Sequence, residues 1–546
     1  MGHAGSAHPG IGPDDPIYDR LAWAVLALVA VAIALTFRDY GISWDEPVQN
    51  NYGKLSLNYY LTLGRDRSSF TYVNLFWYGA LFDTVVAAAN KVSPFGEFDT
   101  RHLLNALVGM VGLGATWRLG RLLGGARVGW IALALLAATP VWYGNSFINP
   151  KDIPFAAAMA WAAAFLVGIA QCLPDWRWRD FTGFGVAVGA AMGTRVGGVI
   201  ALAYLAATMA MFAALSVIDR QTPAAVARHL ARLVPPSLAG GAIALGVMYL
   251  CWPWAQHRPI AGPLESFESF SRFPITFEYP YFGRIIRSTD VPWYYEPGMM
   301  AVMLPELVVA GALGAALLGL LTLVARRPRP WTAALPYAVL ALIAVFPPVY
   351  VALERAVLFD GMRHLLFVVP ALCVAAALAI DFLWRRGQAG AAVAVVLLGA
   401  TLVNQAVLLI RSHPYQYLVF NALVGGVPGA NGNFELDYWG IAFREAVAAM
   451  VARVPAPPGR PWRVTICGPE TSASLFFPAG FVPWPRQRMV EADFYITNTR
   501  YQCPRGTYLT TAPTVAVIAR FDTPLAYVYD LRSHNSLTYM PNPAAP

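Results

Sequence analysis

Asp45 and Glu46 are adjacent carboxylates in the segment Arg38-Asp-Tyr-Gly-Ile-Ser-Trp-Asp-Glu-Pro-Val-Gln-Asn-Asn-Tyr52, directly after the first apolar run, Leu21 to Phe37. Such a pair either opens the helix that Pro47 is suited to begin or supplies a general base. Asp152, in Asn149-Pro-Lys-Asp-Ile-Pro154, presents the same choice at the start of a later run: a helix cap or a site acid. Cations accompany the acids. Lys151 precedes Asp152, and Arg195 stands between two short apolar runs, where a charge is costly unless it is paired, snorkels or faces a cavity. Arg363 and His364 open another run in Phe359-Asp-Gly-Met-Arg-His-Leu-Leu-Phe-Val-Val-Pro370, with Arg355 just before it. A desolvated carboxylate suits removal of a proton from a hydroxyl, and clustered cations suit a lipid phosphate. Combined, they describe an inverting displacement at a sugar anomeric carbon. Such a reaction needs no nucleotide, and neither a Walker-type loop nor a Rossmann fingerprint is present.

These residues are positioned by membrane helices. The chain is 57% apolar and only 13% charged, with mean hydropathy +0.49, whereas soluble domains carry about 25% charged residues. That composition specifies a polytopic α-helical membrane protein. The net charge of +8 comes from short arginine clusters between apolar runs, which suits cytoplasmic loops and argues against nucleic acid as a partner. Residues 1–20 read as a disordered cytoplasmic tail without signal-peptide character.

Runs near 21–37, 102–122, 128–147, 154–172, 181–194, 196–217, 236–254, 305–325, 333–351, 364–384 and 389–410 predict about eleven spans. As one helix, Phe181 to Val217 would be about 55 Å long against a hydrocarbon core of about 30 Å, so a break at Gly193-Thr194-Arg195 is expected. Asn74 to Lys91, interrupted by Asp83 and Asn90, reads as an amphipathic helix in the outer interface. With that assignment, Arg118, Arg121 and Arg127, Arg177 and Arg179, Arg220, Arg228 and Arg232, Arg326, Arg327 and Arg329, and Arg385 and Arg386 all fall on the cytoplasmic side. The loops 38–100, 148–153, 255–304 and 352–363, and everything from residue 412, are then outside. The transmembrane part is expected over 21–411.

Residues 412–546 change character, and a small extracytoplasmic α/β domain is expected there. Ile441 to Val454 reads as a helix; strands are expected at Arg463–Cys467, Ala492–Asn498, Val515–Arg520 and Leu525–Leu531. Cys467 and Cys503 share this exported region, so a disulfide between them is permitted and left open. Cys172, Cys251 and Cys373 lie in or beside spans as small apolar residues. No Cys/His pattern has metal-ligand spacing, and neither metal nor cofactor is expected.

The order of these features resembles the GT-C glycosyltransferases, nearest the protein O-mannosyltransferase and aminoarabinose transferase branch. The resemblance spans about Leu21 to Ile410 and rests on the Asp45-Glu46 pair, Asp152, the Gly185, Gly189 and Gly193 to Arg195 break, and the Arg363-His-Leu-Leu-Phe-Val-Val-Pro entry. It implies a polyprenyl-phosphate-sugar donor and an extracytoplasmic active site in the bacterial cytoplasmic membrane, with an acceptor hydroxyl on a glycan, lipid or protein. Asp45 would be the base, Asp152 an organiser, and Arg195 a donor-phosphate ligand. Glu46 joins the catalytic candidates; Lys151, Arg363 and His364 join the phosphate candidates. Phe434-Glu-Leu-Asp-Tyr-Trp-Gly440 and His413-Pro-Tyr-Gln-Tyr-Leu-Val-Phe-Asn421 resemble segments of bacterial superfamily members, either packing on the outer cleft or forming an aromatic interface belt. Asp290-Val-Pro-Trp-Tyr-Tyr-Glu296 is likewise either a membrane anchor or a sugar-stacking wall.

Two features depart from the aminoarabinose transferases. Tyr72-Val-Asn-Leu75 stands where they carry Lys-Pro-Pro, and Pro47, Val48 and Gln49 replace an Arg that follows their first-loop Asp. Phosphate contacts are therefore expected from other residues, and lipid A is disfavoured as acceptor. A transporter for a lipid-linked sugar is the alternative; it would place its ionisable groups near the bilayer midplane, whereas here they gather at one face.

Overall fold

The computed structural model describes residues 15–271, 276–325, 330–457, 459–500 and 512–532. Helix α1 (Pro16–Thr36) starts where Asp15 accepts the Ile17 N–H, so residues 16–20, expected in the tail, are its first turn. The loop after α1 folds into α2 (Glu46–Leu61) and α3 (Leu81–Ala89), which pack on each other. The chain then enters α4 (Glu97–Gly124), α5 (Ala126–Ala137) and α6 (Pro140–Ile148). The expected single run 128–147 is bent by 62° between α5 and α6, because Pro140 opens a new helix and lacks the N–H that would continue the old one.

Next come α7 (Asp152–Cys172), α8 (Trp178–Met192), α9 (Ile200–Ile218) and α10 (Pro223–Cys251). The break at Gly193-Thr194-Arg195 lies between α8 and a short 3-10 turn that leads into α9. Gly185 and Gly189 face α10: a Cβ on Gly185 would stand 2.4 Å from the Gly240 carbonyl oxygen, and one on Gly189 2.6 Å from that of Ala244. The glycine stripe serves close helix packing.

Short helices α11 (Pro253–His257) and α12 (Ala261–Ser271), a hairpin of β1 (Glu278–Tyr281) and β2 (Arg284–Arg287), and α13 (Tyr295–Met303) build the long loop between α10 and the next span. The bundle closes with α14 (Glu306–Val324), α15 (Leu335–Leu353), α16 (Val369–Trp384) and α17 (Gln388–Arg411). Among the described residues nine helices are long and apolar enough to span a membrane, and the bent α5–α6 pair makes a tenth. Helix α8, with 15 residues and a rise of about 22 Å, fills the remaining place among the eleven expected runs. The protein is a polytopic helical membrane protein.

After α17, short turns and α18 (Gly426–Ala430) lead to α19 (Phe443–Arg453), β3 (Trp462–Cys467), α20 (Glu470–Ser474), β4 (Phe481–Trp484), β5 (Phe494–Asn498), β6 (Thr514–Arg520) and β7 (Thr523–Asp530). The sheet order is β4-β3-β5-β7-β6; β3 pairs parallel with β4 and β5, and β7 antiparallel with β5 and β6. Strand β4 lies in Phe-Val-Pro-Trp, whose proline hid it from pattern reading; it occupies a sheet edge, where proline is tolerated. Cys467 is disulfide-bonded, while Cys503 lies outside the described residues. Phe434, Tyr438, Trp439, Tyr415 and Tyr417 are all buried. Those aromatics pack into the mouth of the bundle and do not form an interface belt.

Candidate active site

The α2 start and the α7 start meet at one end of the bundle. Asp45 precedes α2, yet its side chain makes no capping hydrogen bond. It reaches instead to Lys151, whose Nζ is 3.2 Å from Oδ2. Burial pushes the Asp45 carboxyl up, but Lys151 and Arg363 outweigh it and hold the group below the usual carboxylate range. Its side chain remains 24% exposed. Lys151 lies over the Tyr78 ring, 4.6 Å from the centroid.

Glu46 points the other way. Its side chain is wholly buried, one oxygen accepting the Ser43 N–H at 2.7 Å and the other 3.0 Å from His102 Nε2 of α4. Adjacent helical residues diverge by about 100°, so only one of two neighbouring acids can face the cleft.

Asp152 sits in the first turn of α7, but Asn149 does the local bonding. The Asn149 Oδ1 accepts the Asp152 N–H at 3.0 Å, and its Nδ2 donates to Asp152 Oδ2 at 2.8 Å. The carboxylate is thereby aimed at two arginines: Arg195 at 2.6 Å and Arg363 at 3.3 Å. Arg195 is placed there because short α8 ends early, leaving it at the bundle mouth with its side chain 22% exposed. Snorkelling does not describe it. His364 turns its ring edge-on to Phe359, with centroids 4.9 Å apart. It follows Arg363 without joining the ion pairs found among the described residues.

Sequence reading missed three members of this cluster. Asp360, beside Gly361 in a left-handed turn (φ 60° and 69°), bonds Arg363 at 3.1 Å and Arg500 at 2.8 Å. Arg500 also stands 3.3 Å from Glu435. The result is an alternating row, Arg195–Asp152–Arg363–Asp360–Arg500–Glu435, drawn from α7, the α8–α9 break, the turn before α16, the segment before α19 and the exit of β5. An i, i+3 spacing to Arg363 was the available signal for Asp360, and Glu435 lies in the Phe434–Gly440 segment expected either on the cleft or in an interface belt; nothing in the sequence pointed to Arg500. The other end of the bundle holds separate pairs: Asp180 with Arg118 and Arg177, Asp381 with Arg127 and Arg385, and Asp19 with Arg121.

The geometry offers one accessible carboxylate next to several partly shared cations, an arrangement for proton removal beside an anion.

Residues 82–239 match the family described as dolichyl-phosphate-mannose-protein mannosyltransferase. This match, which runs from α3 into α10 and includes Asp152 and Arg195, bears out the resemblance to the GT-C glycosyltransferases. Two solved structures are similar along most of the chain. One is ArnT from Cupriavidus metallidurans bound to undecaprenyl phosphate, 16% identical, TM-score 0.48, with 94% of this chain and 98% of that chain covered. Another is the archaeal oligosaccharyltransferase AglB from Archaeoglobus fulgidus in complex with an inhibitory peptide and a dolichol-phosphate, 13% identical, TM-score 0.47, with 89% and 70% covered. No curated protein matches this chain.

Proposed function

We propose that this protein is a membrane glycosyltransferase that moves a sugar from a polyprenyl-phosphate donor to an acceptor hydroxyl, with inversion at the anomeric carbon. The observation that carries the reading is Asp45 ion-paired to Lys151 beside Asp152, whose own carboxylate is spanned by Arg195 and Arg363. The family match over residues 82–239 supports the donor class.

In this reading the donor phosphate draws Lys151, Arg195 and Arg363 toward itself. Losing Lys151 to the phosphate frees Asp45 to accept the proton of the acceptor hydroxyl. The hydroxyl oxygen forms its bond to the anomeric carbon as the carbon–oxygen bond to phosphate breaks, and the electron pair leaves on the polyprenyl phosphate. The cations stabilise that departing charge, so the reaction calls for no divalent ion. Glu46 is assigned a structural role. The site is proposed to face the extracytoplasmic side of a bacterial cytoplasmic membrane, since Arg118, Arg121, Arg127, Arg177, Arg179 and Arg385 gather at the opposite end.

The test is direct. Purified protein in detergent, given polyprenyl-phosphate sugars and a membrane extract as acceptor source, should release polyprenyl phosphate. No release with any hexosyl or pentosyl donor would reject the reading.

A further inference from the structure

Arg500 leaves β5 at the point where the carboxyl-terminal sheet meets the bundle, and its docking is built from both sides. Asn498 Nδ2 donates to the Asp437 carbonyl at 3.2 Å, and Arg500 donates to the Tyr438 carbonyl. The guanidinium lies 5.5 Å from the rings of both Trp44 and Phe277, and Trp44 is the residue next to Asp45. The Arg500 side chain is only 6% exposed. An arginine this enclosed is held for what it pairs with.

Its partners are carboxylates that would otherwise compete with a bound phosphate. Lys151, Arg195, Arg363 and Arg500 face Asp45, Asp152, Asp360 and Glu435 in equal numbers. Burial pushes the Asp360 carboxyl up, and Arg500, ahead of Arg363, is the group that pulls it back. Without Arg500, Asp360 would keep Arg363 as its one cationic partner among the described residues, and an entering anion would have to compete with that carboxylate for the guanidinium.

Resting on the glycosyl-transfer reading, we propose that Arg500, supplied by the carboxyl-terminal sheet, is a positioning residue: by neutralising Asp360 it leaves Arg363 free to bind the donor phosphate. Arg500 touches no reacting atom. The extramembrane region thereby completes the donor site, and donor affinity depends on its docking.

The experiment measures binding of polyprenyl phosphate to the purified full-length protein in detergent, alongside melting temperature, for wild type, R500Q, R500K and the double variant D360N/R500Q. R500Q should weaken binding about tenfold or more, the scale of one lost charge interaction in a partly desolvated site. R500K should retain most of the affinity, and D360N/R500Q should recover it, since the carboxylate that captures Arg363 is gone. A purely structural Arg500 would lower the melting temperature without this recovery of affinity. Equal binding by wild type and R500Q overturns the inference, as does a folded double variant that stays weak. If R500Q cannot be recovered folded, R500K and D360N/R500Q decide the matter by the same comparison. Absence of binding by wild type would instead sink the transferase reading on which the inference stands.

Discussion

Lys151 Nζ and Asp45 Oδ2 stand 3.2 Å apart, joining the entry of α2 to the entry of α7 across more than a hundred residues of chain. In the proposed reaction the contact brings a proton acceptor and a phosphate-binding cation to the same point. It also makes each conditional on the other: whatever draws Lys151 away changes the basicity of Asp45.

Replacing Asp45 by Asn should remove the base and leave the fold. Polyprenyl phosphate release is expected to fall by about a hundredfold or more. The pair is partly solvated, so its loss should cost only about 1 kcal/mol of stability. Turnover by D45N within a few-fold of wild type would take the role from Asp45.

Replacing Glu46 by Gln should give the opposite signature. The buried carboxylate accepts the Ser43 N–H and faces His102, so neutralising it should destabilise the protein by about 1–3 kcal/mol. In the folded fraction kcat should stay within about threefold of wild type. Thermal melting together with kcat separates E46Q from D45N; a large fall in kcat at unchanged stability would return Glu46 to the catalytic list.

Glu296 in α13 is buried with neither carboxylate oxygen hydrogen-bonded among the described residues, and burial pushes it up to about 8. A carboxyl that is neutral in the folded state and ionised in the unfolded one stabilises the fold most at acid pH. That contribution declines as pH rises from the unfolded value near 4.5 to about 8 and then levels off. Melting curves from pH 5 to pH 9 should therefore show wild type losing stability relative to E296Q as pH increases. Parallel curves for the two proteins would contradict the assignment.

The proposed orientation predicts opposite labelling of two thiols. Val92, 86% exposed after α3, should react as V92C with an impermeant maleimide applied to intact cells. Arg220, after α9 at the other end, should react as R220C only once the membrane is opened. The reverse pattern would turn the site toward the cytosol.

The spans were legible in the sequence because lipid rewards apolar length locally, whatever the neighbours. The short α8, its break before Arg195, and the placement of Asp45 and Asp152 at helix entries followed from run lengths and arginine positions. Four of the five strands in the carboxyl-terminal sheet were visible from β-branched and aromatic alternation; β4 was obscured by Pro483. What the sequence left undetermined is which acid faces which cation. Asp45 and Glu46 are neighbours with the same chemistry, and only the packing of α2 against α4 buries one and opens the other. Arg500 lies 140 residues beyond Asp360, and no periodicity connects them. Ion pairs of that kind depend on where helices and strands cross, a property of the whole packed chain rather than of any segment of it.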